Sequence, residues 1–212
     1  MIKNFNKSEF FNKEPHQYKF SFTALSLKVR ESIILAQKLK DEKLSLDDLS
    51  PKDLSDPRGA TSKRKFQEFL RRFKQFSREE LDLLAEGNPH EQKQLCLLGF
   101  ARYYRFFHEF VTEVMLEKTM VFDYELTDRD INAFVSRKSI DHPELESLAD
   151  STRKKVVQVL WKVLEQSELI NSVKERKINT PLVDERLERL IFESNPNDLK
   201  VFLYSDAKIK SL

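Results

Sequence analysis

Three glycines in 212 residues, Gly59, Gly87 and Gly99, leave almost no backbone able to adopt the positive φ that two-residue hairpin turns require. Seven prolines add little further punctuation. A chain so poor in turn residues is expected to be mainly α, because long helices need few tight reversals. The same glycines stand too far apart for a G-x-G-x-x-G or G-x-x-x-x-G-K-S/T loop, whose backbone must approach a phosphate closely. Nucleotide-binding enzymes of those types are not expected. At 40% hydrophobic and 34% charged residues the chain falls among globular proteins with a conventional core. One cysteine, Cys96, excludes an internal disulfide, and with four scattered histidines it offers no zinc spacing, so neither metal nor cofactor is expected. The first 19 residues carry lysines and no apolar signal-peptide core, which implies the cytoplasm. The longest uncharged run in the middle, 94–101, is too short for a membrane crossing.

Apolar periodicity sets the element order. Leu27, Ile34 and neighbouring Val29, Ile33 and Leu39 predict a first helix over 26–40, with Ser26 as its N-cap. A helical turn at 46–49 follows, and Asp56-Pro57-Arg58-Gly59 then breaks regular structure. Thr61 or Ser62 is placed to cap a helix whose Phe66, Phe69, Leu70, Phe73 and Phe76 line one face, with Lys63, Arg64, Lys65, Arg71, Arg72 and Lys74 around the outside. Ser77 and Glu80 form a capping box for the next helix, which Gly87-Asn88-Pro89 stops. Pro89 opens a long helix reaching 118 if unbroken, apolar nearly all round, with Glu109, Glu113 and Glu117 as its solvated edge.

The last third has a different rhythm. Thr127 with Asp130 caps a helix through 137, His142-Pro143 starts a short one ending near 149, and Ser151 caps a third over 152–168. Residues 169–173, a polar turn Lys174-Glu175-Arg176-Lys177, and 178–183 read as a small hairpin. Three helices followed by a hairpin is the layout of a winged helix-turn-helix, with the third helix in the recognition position and the hairpin as wing. Residues 184–193 add an amphipathic helix. The expected architecture is a helical bundle around a long central helix. It divides into an N-terminal helical module over 1–88 with a candidate second helix-turn-helix, the central helix over 89–122, a winged-helix-like module over 123–195 and a tail over 196–212.

Net charge is only +2, but it is segregated. Residues 58–78 hold eight Lys/Arg against one Asp/Glu, and 152–177 hold seven against three, whereas 79–151 reverses to seven against 16. Two basic stretches divided by an acidic middle would direct an anionic polymer to particular surfaces. In the first, the candidate contacts are Arg58, Thr61, Ser62, Lys63, Arg64, Lys65, Arg71 and Arg72. In the second, Ser151, Thr152, Arg153, Lys154 and Lys155 open the recognition helix, where hydroxyls and cations can meet phosphates and base edges. Lys174, Arg176 and Lys177 stand at the hairpin tip. Solvated basic helix faces are common, but cations on a first turn oppose the helix dipole unless an anion is near. Few Asn or Gln residues stand in these turns to read bases, so weak sequence preference is expected.

Other chemistries fare worse. His108, Glu109 and Glu113 share a helix, yet a di-metal site needs Glu-x-x-His on each of two helices, and the pattern is absent. Cys96 lies in an apolar stretch without a cation, which favours an inert core thiol over a nucleophile. Trp161 reads as core, and the phenylalanines fill the interior. Tyr103 and Tyr104, between Arg102 and Arg105, are the candidates for base stacking.

The runs F-T-A-L-S-L-K-V-R-E-S at 22–32, G-A-T-S-K-R-K-F-Q-E-F-L-R-R-F at 59–73, L-L-A-E-G at 83–87, A-R-Y-Y-R-F-F-H-E-F-V-T-E-V at 101–114, and F-V-S-R-K, H-P-E-L and S-T-R-K-K across 134–155 resemble the BrxA family, a small component of BREX phage-resistance systems. The resemblance covers roughly residues 20–190. It implies a non-enzymatic, mostly helical DNA-binding accessory protein encoded beside a methyltransferase and an ATPase, with no catalytic residues to carry over. A likeness to the helical fold of an RNA-binding antitermination factor keeps RNA as a third reading. The expected partner is double-stranded DNA, held mostly through phosphates, with other BREX proteins as further partners and no membrane or small-molecule substrate. The alternative is a helical adaptor that docks BREX components through its acidic middle.

Overall fold

Ser77 Oγ accepts the Glu80 amide at 3.2 Å while the Glu80 carboxylate accepts the Ser77 amide at 2.7 Å, so the helix opens where its sequence spacing places it. The computed structural model describes residues 17–55 and 60–212, with Ala60 and Thr61 through their backbone only. Its helices are α1 (Val29–Asp41), α2 (Ala60–Phe73), α3 (Arg78–Glu86), α4 (Pro89–Tyr103), α5 (Arg105–Phe110), α6 (Leu116–Met120), α7 (Asp128–Ser139), α8 (Pro143–Glu146), α9 (Asp150–Gln166), α10 (Glu185–Ser194) and α11 (Asp206–Lys210). The protein is mainly helical. The expected cap at Thr127 with Asp130 forms, and Asn88 before Pro89 and Asp184 cap their helices as well, because each side-chain oxygen satisfies amides that a first turn leaves unpaired.

The expected helix starts are corrected first. The first helix begins at Val29, not Ser26. Residues 25–27 stay outside the helix, where the Arg72 guanidinium gathers their carbonyls, donating to Leu25 O at 2.6 Å and Ser26 O at 2.8 Å, with Leu27 O at 3.4 Å. Thr61 and Ser62 lie inside α2, and Ser151 lies inside α9, so none of the three caps its helix.

The long central helix is divided. It breaks at Tyr104 (φ −102°, ψ 88°), whose ring is fully buried and whose hydroxyl donates to the buried Glu68 carboxylate of α2. A straight helix could not aim both halves of so apolar a sequence at their partners. After the break α5 turns Phe106 and Phe110 toward Phe134 of α7, at ring distances of 5.3 and 5.4 Å, while before it Phe100 meets Phe22 at 5.7 Å. A π-helical turn over Val111–Met115 joins α5 to α6. Glu109 is not on a solvated edge: it is buried, accepts from Tyr18 and Arg105, and pairs with Lys138 at 2.6 Å.

The hairpin shrinks to single bridges. Ile170 pairs antiparallel with Ile178, and Lys177 in turn pairs antiparallel with Glu125, a segment ahead of α7 that carries no strand signal. Residues 196–212 are not a tail. The 3₁₀ turn Pro196–Phe202 and Tyr204 bury Leu199, Val201 and Phe202 against α4 and α10. Among the described residues one apolar cluster runs through all the segments named above.

Candidate nucleic-acid interface

The basic residues of α2 divide by helical position. Arg72 points inward at 3% exposure, with Phe100 and Tyr104 rings 4.7 and 5.5 Å from its guanidinium carbon. Ser62 is also buried. Both leave the candidate surface, because one face of an amphipathic helix must enter the core and their positions fall on it. Arg71 pairs with Glu68, which is itself buried. Lys63 and Arg64 are exposed, Lys65 is half-buried, and none makes an ion pair with a described residue. Arg58 lies outside the described residues, as does the side chain of Thr61.

The start of α9 is similarly open. Ser151, Arg153, Lys154 and Lys155 are exposed and Thr152 is half-buried. Arg153 donates to the Leu145 carbonyl at 3.0 Å and Lys155 to Gln158 at 3.0 Å, so neither charge is neutralised. At the bridged turn, Lys174 and Lys177 are exposed. Arg176, with φ 56°, is not free: it pairs with Asp128 at 2.5 Å and lies 4.6 Å over the Trp161 ring.

The acidic middle is largely occupied by other cations. Arg102 bridges Glu80 and Asp198, each at 2.7 Å, and Lys138 holds both Glu109 and Glu113. Burial disfavours the charged Arg102, but the two carboxylates outweigh it and raise its pKa. Burial, reinforced by Glu68, likewise pushes the Tyr104 phenol up, against the nearby Arg72 charge. It excludes Tyr104 from stacking on a base, while Tyr103 is half-buried under the Lys19 ammonium at 4.8 Å. Cys96 is buried and its thiol is pushed up to about 12, chiefly by burial. Among the described residues no three His, Cys, Asp or Glu side chains are grouped to hold a metal ion, and no helix is long and apolar enough to cross a membrane.

Residues 17–27, of which 26 and 27 were expected to open the first helix, tie the two basic helices together. Ser21 Oγ donates to Glu68 of α2 at 3.2 Å. Three residues back, the Tyr18 amide donates to Glu144 of α8 at 2.6 Å, next to the Leu145 carbonyl that holds Arg153. At the other end the Leu27 amide donates to Gln166 of α9 at 3.1 Å, beside the carbonyls that Arg72 of α2 gathers. These contacts span up to 139 positions and have no local sequence signal.

A family model described as BrxA matches residues 16–195. A relative from Bacillus cereus (strain H3081.97), described as BREX protein BrxA, is 31% identical over 102 residues, covering 48% of this chain and 51% of its own length. The chain thus matches about half the length of that relative. The crystal structure of an uncharacterized protein from Magnetospirillum magneticum superposes with a TM-score of 0.75 at 16% identity, covering 89% of this chain and 98% of its own, which shows a shared fold.

Proposed function

The chain belongs to the BrxA family of BREX phage-defence systems, and from that premise we propose that it is a non-enzymatic accessory protein that binds double-stranded DNA mainly through its phosphates. One observation carries the reading. In a chain with nearly as many acids as bases, Lys63, Arg64 and Lys65 on α2, Lys154 and Lys155 on α9, and Lys174 and Lys177 at the bridged turn have no ion-pair partner among the described residues. Lys63 stands in the first turn of α2, where a cation opposes the helix dipole and an arriving anion relieves that cost. The order Glu125 bridge, α7, α8, α9, Ile170–Ile178 bridge supports a winged-helix-like reading of the C-terminal module, with α9 presented to a groove. Weak sequence preference follows from a set dominated by lysine and arginine.

The test is a titration against duplex DNA at rising salt. Seven such cations with Arg153 predict a log–log slope of about −7 if all reach phosphates. A slope near zero overturns the reading. Structured RNA at equal salt is the competitor, and preference for it would redirect the function to RNA. A second reading, docking to other BREX proteins, draws on Met120, Val121 and Phe122, which are 62%, 73% and 82% exposed in the acidic middle. Phe122→Ser is expected to remove such a partner while leaving duplex affinity intact.

A further inference from the structure

Between α4, the residues that end α9, the chain at 179–181 and the 3₁₀ turn Pro196–Phe202 lies a cleft of about 290 Å³. That volume sits near the lower bound for ligand pockets, about 300 Å³, and so admits one ring system rather than an extended molecule. Its apolar lining is Leu97, Pro181 and Phe202. Three polar side chains also line it, and each has already committed a donor to a carbonyl. Gln94 Nε2 donates to Leu182 O at 2.8 Å, Asn179 Nδ2 to Glu168 O at 3.1 Å and Ser167 Oγ to Leu164 O at 3.1 Å. Each therefore keeps an acceptor: Gln94 Oε1, Asn179 Oδ1 and the lone pairs of Ser167 Oγ. Gln94 is only 4% exposed, yet its Oε1 has no hydrogen-bond partner among the described residues. Exchanging the two ends of its amide would set that oxygen against the Leu182 carbonyl at 2.8 Å, acceptor to acceptor, so a flipped side chain does not remove the orphan. A buried acceptor left unpaired costs free energy that an arriving N–H group recovers. Lys93 and Glu168, paired at 2.5 Å, complete the lining, and between them they disfavour a cationic and an anionic ligand alike.

We propose that this cleft binds an uncharged, flat heterocycle of nucleobase size, which presents an amino group to Gln94, Asn179 and Ser167 while its ring lies on Leu97, Pro181 and Phe202. The apolar lining supplies area for the ring, and the acceptors fix its orientation and select for N–H groups. The site stands apart from the DNA-binding reading, since none of the candidate DNA contacts lines it.

Adenine and purine, which differ by one amino group, are the probes, and amide chemical shifts of the full chain are the readout. Adenine is expected to bind about tenfold more tightly than purine, because purine leaves the acceptors unpaired, and to move the amides of Ser167, Glu168 and Asn179. Ser167→Ala with Asn179→Leu removes two of the three acceptors. It should bring adenine down to the affinity of purine, which itself should not change, and leave duplex affinity at the wild-type level. Should that variant not fold, Asn179→Leu alone, at an exposed position, should weaken adenine about threefold or more. Equal affinity of wild type for the two probes, or wild-type adenine affinity in a folded variant, overturns the proposal. So does the absence of shifts at 167–168 and 179 in about 5 mM adenine, which would leave the cleft to water. Single-stranded oligoadenylate distinguishes the source of the ring. If it moves the same amides at lower concentration than adenine, the ring comes from a nucleic-acid strand; if only the free base moves them, the ligand is a small metabolite, and either outcome supports the cleft.

Discussion

Arg72 looks like a nucleic-acid contact in sequence and serves as a buried clamp in the structure, so Arg72→Met separates the two roles. The substitution keeps the stem in place between Phe100 and Tyr104 and removes the donor from three carbonyls. Two of those bonds are short, at 2.6 and 2.8 Å, and the third, at 3.4 Å, is weak. Hydrogen bonds from a charged donor contribute about 1.5–3 kcal/mol each, and stacking of the cation on a ring adds about 1 kcal/mol. Relief of the guanidinium's desolvation offsets part of this, leaving a net destabilisation of about 3 kcal/mol. For a chain of this length each kcal/mol lowers the melting temperature by about 2–4 °C, so a fall of about 6–12 °C is expected. Urea unfolding followed by circular dichroism gives the free energy directly, with duplex affinity measured on the folded fraction. The clamp is refuted if Arg72→Met melts within about 2 °C of wild type yet binds duplex as weakly as a Lys63, Arg64 and Lys65 triple alanine variant.

That triple variant should lower the magnitude of the salt slope by about 2.7 on every duplex sequence and change stability little; an unchanged slope removes the α2 patch from the interface. Arg102→Leu leaves the buried Glu80 and Asp198 without their cation and should cost about 3–5 kcal/mol, and a loss below about 1 kcal/mol in chemical denaturation would show the bridge to be dispensable. Gly99→Ala brings a Cβ within 2.9 Å of Phe76 Cε2, so the ring must shift, at about 1–3 kcal/mol; a fully stable variant would mean that Phe76 has room to move. The Cys96 thiol, raised by burial from 9.0 to about 12, should resist thiol reagents at neutral pH until the chain unfolds. Because its folded pKa is the higher one, stability is complete below about pH 9 and falls as pH climbs toward about 12; a flat profile across that window for wild type against Cys96→Ala would contradict the burial.

What the amino-acid order determined by itself is local. Scarce glycine implied helices, and the caps at Ser77 and Thr127 formed because each satisfies amides within three residues of itself. The open cations Lys63, Arg64, Lys154 and Lys155 were legible too, since one-sided apolar periodicity says which residues of a helix face water. Tertiary structure alone decided the rest. Tyr104 ends its helix to meet Glu68, 36 positions away, and Glu109 is drawn into the core by Tyr18 and Lys138. Arg71 and Arg72 are adjacent in sequence, yet one pairs with a carboxylate and the other is sealed against carbonyls some 45 positions back. Periodicity cannot foresee such contacts, because whether a charge is buried depends on which distant groups arrive to hydrogen-bond it. The same holds for residues 17–27: nothing in their composition marks a tie between two basic helices, and only the fold brings Glu68, Glu144 and Gln166 to them.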